Sequence, residues 1–270
     1  MSELYRSVQR REHELVEPKC ISIKIKHFRR RGQDSLELGS LKIKAIVFDL
    51  DGTLAEFNLE YKTVRAEARR FLINQGFPAS TLSVNESIFE MLGKARVYLR
   101  NNGLSDQFSA TRKRVFSIAE KYELLAARET YLLPGTFETL KILKQMKLKL
   151  GIFTINGEKS THNILRNFRL KQFFDAVVTR ETTTDVKPDA SHLTAVLGKL
   201  GVKPEEAIVV GDSIVDMKSA EASKAIGVGL AVNSESIMKL QSMGARFTVK
   251  SISELPDLIA SLNKEDFTPA

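Results

Sequence analysis

The sequence predicts an α/β fold: a parallel sheet flanked by helices, interrupted by a helical insertion and preceded by a polar N-terminal extension. Three observations predict it. Short apolar runs of strand length recur at 45–48, 148–154, 175–179 and 207–212, with a weaker run at 226–232 and another at 245–249. Helical patterns separate the later runs, and strands alternating with helices imply βαβ units and a parallel sheet. Residues 58–130 hold helical patterns and no convincing strand, so one helical block enters directly after the first strand.

The elements are justified in chain order. Residues 1–40 are polar and irregular, with the basic run Arg29-Arg30-Arg31. Within them Ile21, Ile23 and Ile25 alternate at period two, so a small hairpin and a mostly disordered arm are both compatible with this stretch. "AIVF" at 45–48 is the first strand. "EYKTVRAEARRFLINQG", "NESIFEMLGKARVYLRNNG" and "SATRKRVFSIAEKYELLAARE" read as three or more amphipathic helices. "GTFETLKILKQM" places Phe137, Leu140, Ile142 and Leu143 on one predicted apolar stripe. "DASHLTAVLGKLG" follows Pro188 and ends at Gly201, a residue suited to a left-handed helix terminus. "SISELPDLIASLNK" has the spacing of a capping box, Ser251 to Glu254.

Composition bounds the function. A hydrophobic fraction of 43% and a charged fraction of 27% are those of a globular chain, and 270 residues suffice to bury a sizeable core. Cys20 stands alone, so no internal disulfide forms, which fits a reducing cytoplasm. No apolar run approaches the roughly 18 residues needed to span a bilayer, and the N-terminus lacks the apolar core of a secretory signal. Net charge is +8, and much of it lies in residues 1–44. A basic surface attracts anions in general, and the chain is not expected to bind nucleic acid specifically.

In open parallel sheets, ligands bind beyond the carboxyl ends of the strands. The first strand ends in Asp49 and Asp51, the second in Thr154, and the fourth in Gly211-Asp212, with Asp216 one helical turn on. Lys187-Pro188 lies in the loop after the third. Asp49, Asp212 and Asp216 together suit Mg²⁺, a hard ion that favours oxygen ligands. Lys187 adds fixed positive charge, and the Thr154 hydroxyl can donate to a phosphoryl oxygen. One carboxylate can attack phosphorus, and another two residues away can protonate a leaving oxygen. Taken singly, each group has a plainer reading: a turn, a helix cap, a surface acid or an ordinary loop. Their recurrence at successive strand ends is what points to a site.

These motifs resemble those of the haloacid dehalogenase (HAD) superfamily. "DLDGT" at 49–53, "FTIN" with Thr154, "VKPD" with Lys187 and "GDSIVD" with Asp212 and Asp216 are similar to its four motifs and stand in its order. The resemblance covers about residues 42–262, and "LLPGTFETLKILK" is similar to the return from the cap in phosphoglycolate-phosphatase-like members. It implies a Rossmann-like core at 41–56 and 132–270, a helical cap at 57–131 and an N-terminal arm at 1–40. It also implies Asp49 as nucleophile and Asp51 as general acid and base. Thr154, Lys187 and Asn156 would bind phosphate. Asp49, Asp51 through its backbone carbonyl, Asp212 and Asp216 would hold Mg²⁺. One departure concerns the hinge into the cap, where Ala55-Glu56-Phe57 replaces the small acidic–polar pair frequent in the family.

The expected activity is cytoplasmic, Mg²⁺-dependent hydrolysis of a small phosphomonoester, phosphoglycolate-like or a sugar phosphate. Asp51 argues against a dehalogenase, which has no alkoxide to protonate. A phosphomutase shares all four motifs, and a non-catalytic regulatory or nucleic-acid-binding protein on the same scaffold is the alternative of another class. The remaining motif candidates fail on spacing. "GVGLAV" lacks the third glycine of a dinucleotide fingerprint, and His13, His27, His162 and His192 have no mutual spacing that suggests zinc. The arginines of the helical block, Arg65, Arg69, Arg96, Arg100, Arg112 and Arg114, are expected mainly on solvated faces, with one or two within reach of a substrate anion.

Overall fold

The structure, a computed structural model, describes residues 42–264; the expectations for the N-terminal arm lie outside the described residues. In chain order the elements begin with β1 (Ala45–Phe48) and the two-residue strand β2 (Ala55–Glu56). Helices α1 (Tyr61–Asn74), α2 (Ile88–Asn101) and α3 (Phe108–Ala126) follow, then β3 (Tyr131–Leu132) and α4 (Thr136–Gln145). The α/β alternation resumes with β4 (Lys149–Phe153), α5 (Glu158–Asn167), β5 (Ala176–Val178), α6 (Ala190–Leu200), β6 (Ala207–Gly211) and α7 (Ile214–Ala222). It closes with β7 (Ile226–Leu230), α8 (Ser234–Ser242), β8 (Ala245–Val249) and α9 (Leu255–Lys264). No described helix is long and apolar enough to cross a membrane.

The main sheet has six parallel strands in the order β5-β4-β1-β6-β7-β8. The chain starts in the middle, builds outward on one side, then crosses to build on the other. The carboxyl end of β1 is therefore flanked by those of β4 and β6, which is where such sheets bind ligands.

Period-two side chains explain the two layers of helices. Ile46 and Phe48 face one way and pack with Leu140, Leu143, Ile164 and Ile259 of α4, α5 and α9. Ala45 and Val47 face the other way and pack with Leu193, Val196 and Leu200 of α6. Burial of each such leucine or isoleucine stabilises by roughly 1.5–3 kcal/mol. Gly151 in β4 lets α6 approach closely, because a Cβ there would stand 2.8 Å from Val196 Cγ2. Gly201 ends α6 in the left-handed region (φ 61°), as its place in the sequence predicts. The Ser251–Glu254 capping box is present, on a short 3₁₀ turn that leads into α9.

The predicted stripe on α4 is corrected. Leu140 and Leu143 are buried, but Phe137 and Ile142 are exposed. The covered face is completed by Thr136 and Thr139, and Phe137 instead lies edge-on against Phe173, 5.1 Å between ring centroids. The strand pair β2–β3 was not predicted; it is antiparallel, with Ala55 opposite Leu132 and Glu56 opposite Tyr131. Two residues per strand give no periodicity to read.

Helices α1–α3 form a core of their own, built from Val64, Leu72, Met91, Leu99, Val115 and Phe116 among others. Ser87 opens α2 with a capping box to Glu90. Two side chains of α3 hold this insertion against the sheet domain. The Glu123 carboxylate pairs with the Arg180 guanidinium, their side chains being 3% and 1% exposed. Glu123 Oε2 also accepts from the Gly157 N–H (3.0 Å) at the start of α5 and from Ser160 Oγ (3.3 Å). Arg112 donates to the carbonyls of Arg180 (3.0 Å) and Thr183 (2.7 Å), so this arginine serves the interface rather than a solvated face.

Removing one partner of a buried pair leaves the other desolvated and uncompensated. Glu123→Ala is therefore expected to lower stability by roughly 3–5 kcal/mol in equilibrium urea unfolding. A loss below about 1 kcal/mol would class the pair with ordinary surface bridges.

Candidate active site

Five sequence-predicted residues line one cleft of about 610 Å³ at the carboxyl edge of the sheet: Asp49, Asp51, Thr154, Lys187 and Asp212. Asp216 stands directly behind it, fully buried. Each is delivered by a strand end. Asp49 follows β1, its N–H bound to the Val210 carbonyl of β6 (2.9 Å). Thr154 follows β4 and bonds in the same way to Val178 of β5 (3.0 Å). Asp212 follows β6, and Asp216 lies in the first turn of α7, where its carboxylate accepts from the Ser213 N–H (3.1 Å) and the Ser213 hydroxyl. Gly52 is required by the turn that directly follows Asp51. Its φ is +74°, and a Cβ there would stand 2.4 Å from Asp212 Oδ2.

Lys187 holds the arrangement together. Its Nζ lies 2.5 Å from Asp49 Oδ1 and 2.7 Å from Asp216 Oδ1, and 3.9 Å from the centroid of the Phe153 ring. Burial alone would pull this ammonium down; the Asp216 and Asp49 carboxylates reverse that and keep it above its ordinary pKa. Burial raises the Asp49 carboxyl, Lys187 opposes the rise, and Asp216 and Asp212 add to it. Burial, with Asp216 beside it, pushes Asp212 up to about 6.

Asp51 faces a different environment. Its carboxylate accepts from the Phe57 N–H (3.1 Å) and the Tyr61 hydroxyl (2.6 Å). Burial pushes it up to about 6 against the pull of those two bonds. Thr154 Oγ1 accepts from the Asn156 N–H (3.1 Å), which leaves the hydroxyl proton free to point into the cleft. Asn156 does not join the group. Its side chain lines a smaller neighbouring cavity with Glu123 and Arg180, and its Nδ2 has no partner. Ile155, between the two, lines both cavities.

An oxygen-rich metal site is compatible with these residues. Asp49, Asp212 and Asp216 each offer a carboxylate oxygen, and these atoms lie within 4.8 Å of one another. The donor set is all oxygen, as Mg²⁺ requires, and the mutual repulsion that raises Asp49 and Asp212 is what a divalent cation relieves.

Several supporting residues had no separate signal in the sequence. Tyr61 and Phe57 reach Asp51 from the hinge and the start of α1. Ser213 was legible in retrospect, since Ser213 to Asp216 has capping-box spacing. His192 is fully buried beneath Lys187, its Nδ1 accepting the Lys187 N–H at 3.3 Å and its ring 5.9 Å from that of Phe153. A lone histidine in a helix gives no hint of this.

The sequence profile of the haloacid dehalogenase-like hydrolases matches residues 46–230. The chain belongs to that family. It is 29% identical over 225 residues to a phosphoglycolate phosphatase of Chromobacterium violaceum, covering 80% of this chain and 96% of that one. It is 26% identical over 226 residues to the pyrophosphatase PpaX of Bacillus cereus, covering 83% and 100% respectively. Solved structures share the fold. A hydrolase from Pseudomonas syringae superposes with a TM-score of 0.54 at 24% identity, covering 81% of this chain and 98% of that one. A phosphonoacetaldehyde hydrolase-like protein from Oleispira antarctica gives 0.59 at 16% identity, covering 88% and 97%. The protein is thus a HAD hydrolase whose curated relatives of similar span are phosphatases.

His192 yields a pH prediction. Burial, and then the Lys187 ammonium, hold its pKa down at about 4. The unfolded residue titrates near 6.5, so below about 6.5 the unfolded chain binds more protons and stability falls with falling pH, down to about 4. His192→Gln should remove this dependence, worth up to roughly 3 kcal/mol between the two states. Unfolding free energies of both proteins near about pH 7 and about pH 4.5 test it; equal pH slopes would contradict a neutral, buried His192.

Proposed function

We propose that this HAD hydrolase is a Mg²⁺-dependent phosphomonoesterase that works through an aspartyl-phosphate on Asp49. The observation that carries the reading is the convergence of Asp49, Lys187, Asp212 and Asp216 at the edge of one cleft, with Asp51 set apart in an environment of its own.

The chemistry follows from those positions. A phosphoryl group enters the cleft and its oxygens meet the Thr154 hydroxyl and the Lys187 ammonium. An Asp49 carboxylate oxygen attacks phosphorus, and the bond to the leaving oxygen breaks. Asp51, protonated and held by Phe57 and Tyr61, gives its proton to that leaving oxygen. The alcohol departs. Asp51, now a carboxylate, takes a proton from water as the water attacks the phosphorus of the aspartyl-phosphate, which releases inorganic phosphate and restores Asp49. Asp49, Asp212 and Asp216, with the backbone carbonyl of Asp51, would hold Mg²⁺. When bound, it supplies positive charge to the crowded carboxylates and the phosphoryl oxygens.

The same reading treats residues 57–131 as a cap over a core formed by 41–56 and 132–270. The β2–β3 pair at the two crossing points supports it. A small phosphomonoester suits the size of the cleft, and of the two expected classes a sugar phosphate, whose alcohol is uncharged, suits its acidic lining better than a phosphoglycolate-like ester. A cytoplasmic setting is supported by the single cysteine.

Two experiments test the mechanism. Asp49→Asn keeps the size of the nucleophile and removes its function, so Mg²⁺-dependent phosphate release should fall to background with the fold retained, and chelation of the metal should do the same to the unmutated protein. Near-normal turnover in either case would exclude the mechanism. Asp51→Asn should cost roughly 10²–10⁴-fold on alkyl phosphates and much less on p-nitrophenyl phosphate, whose leaving group needs little protonation. Equal losses on both would remove Asp51 from the acid role.

A further inference from the structure

Resting on the phosphatase reading, we infer that the site selects a leaving alcohol that is uncharged and offers an apolar face, and disfavours one that carries a carboxylate or a second phosphoryl group. The alcohol departs toward the proton donor, so the surroundings of Asp51 decide what it meets. Those surroundings are the hinge segment. Phe57 is buried and gives its N–H to Asp51, and Tyr61 reaches the same carboxylate with its hydroxyl. Leu59, Ile155 and Val215 continue an apolar wall around the cleft.

Charge points the same way. The cleft is lined by four carboxylates, Asp49, Asp51, Glu56 and Asp212, against the single ammonium of Lys187. Lys187 is already bound by Asp49 and Asp216. Among the described residues no other cationic side chain lines this cleft. Arg96, Arg112 and Lys218 line a neighbouring cavity that meets the cleft at Ile155, Lys187 and Val215, and none of the three lines the cleft itself. Arg65 lies over the Tyr61 ring and lines the small cavity beyond it. Arg96 faces Asp185 at 3.4 Å, and Arg112 is bound to two carbonyls.

With Asp49 and Asp212 given to the proposed Mg²⁺, a second anionic group close to the scissile oxygen would enter beside Glu56 and against apolar side chains, and among the described residues no cationic side chain is free to meet it there. Desolvating it there is unfavourable. The carboxylate of phosphoglycolate is one methylene from its ester oxygen, too short a reach to leave this cleft. A neutral alcohol with an apolar face loses nothing on entry and gains burial against Phe57 and Leu59.

The test compares kcat/KM of the full chain, with Mg²⁺, for benzyl phosphate, phosphoglycolate and pyrophosphate. Benzyl phosphate and phosphoglycolate are both esters of primary alcohols, so activation of the leaving group does not decide between them. Benzyl phosphate is expected to be favoured by about tenfold or more over either of the others. Glu56→Gln should narrow its lead over phosphoglycolate by roughly fivefold, the scale of a like-charge contact near a protein surface. Phosphoglycolate or pyrophosphate turned over as well as benzyl phosphate would overturn the inference and leave the phosphatase reading standing. A lead that Glu56→Gln does not move would overturn its electrostatic basis. No Mg²⁺-dependent turnover of any of the three would overturn the phosphatase reading itself, and the inference with it.

Discussion

The buried ammonium of Lys187, bound at once to Asp49 and Asp216, is the charge on which this end of the sheet depends. A parallel sheet that starts in the middle brings the ends of β1, β4 and β6 side by side, and β1 and β6 each end in a carboxylate. Water is largely excluded there, and an uncompensated charge in such a place costs several kcal/mol. One ammonium answers two of the carboxylates and leaves Asp212 open to the cleft. The fold thus delivers more negative charge than its own cation balances, a deficit compatible with a divalent cation. The layer beneath serves the same constraint. Phe153 presents its ring to Nζ, and His192, kept neutral, accepts the Lys187 backbone N–H. Ser213 holds the Asp216 carboxylate in place.

The insertion is tied to this end of the sheet at two particular loops. Glu123 binds the Gly157 N–H, in the turn that leaves Thr154 for α5, and it pairs with Arg180. Arg112 grips the carbonyls of Arg180 and Thr183, in the segment that runs on to Lys187. Phe116 lies under both guanidiniums, 4.6 Å from Arg112 Cζ and 4.9 Å from Arg180 Cζ. The loops that carry the phosphate-side groups are therefore the ones that the insertion holds. α3 is thus tied by hydrogen bonds to the segments that carry Thr154 and Lys187, and Ala126 at its end joins the core of the sheet domain.

What the sequence made legible follows from how strongly each feature is over-determined. Strands β1, β5, β6 and β7, and β4 after Lys149, are marked by continuous apolar runs, because a sheet covered on both faces leaves no polar alternation; the edge strand β8 carries Arg246 and Thr248 and is marked more weakly. The chemical residues are marked by their place at the ends of those runs. Both signals are local. The stripe on α4 misled because helical spacing places Phe137 and Ile142 near Leu140 and Leu143, while two threonines take the covered face instead. The resemblance implies Asn156 beside Thr154 as a phosphate-binding residue, yet Asn156 lines the smaller cavity, Thr154 the cleft, and Ile155 both. His192, Tyr61 and the Glu123–Arg180 pair were illegible. Glu123 and Arg180 are 57 residues apart, and although His192 and Tyr61 lie only 5 and 10 residues from Lys187 and Asp51, no periodicity or motif marks those contacts.

The same distinction separates chemistry from selectivity. Of the groups proposed to handle phosphorus, Asp49, Thr154 and Asp212 directly follow strands of the sheet, and Lys187 lies in the loop after β5. The groups that meet the leaving alcohol sit at 56–61, a crossing segment held by a two-residue strand, the start of one helix and two hydrogen bonds to Asp51. The sheet constrains that segment weakly, so its side chains can change without disturbing the nucleophile or the metal-ligating carboxylates. At 29% and 26% identity to a phosphoglycolate phosphatase and a pyrophosphatase, most positions differ, and these are among the positions where difference is least costly to the fold. Kinship at that level therefore fixes the bond that is broken far more firmly than the alcohol that leaves. Here the hinge offers Glu56, Phe57 and Tyr61 around Asp51, an acidic and apolar surface on which, among the described residues, Lys187 is the one cationic side chain of the cleft.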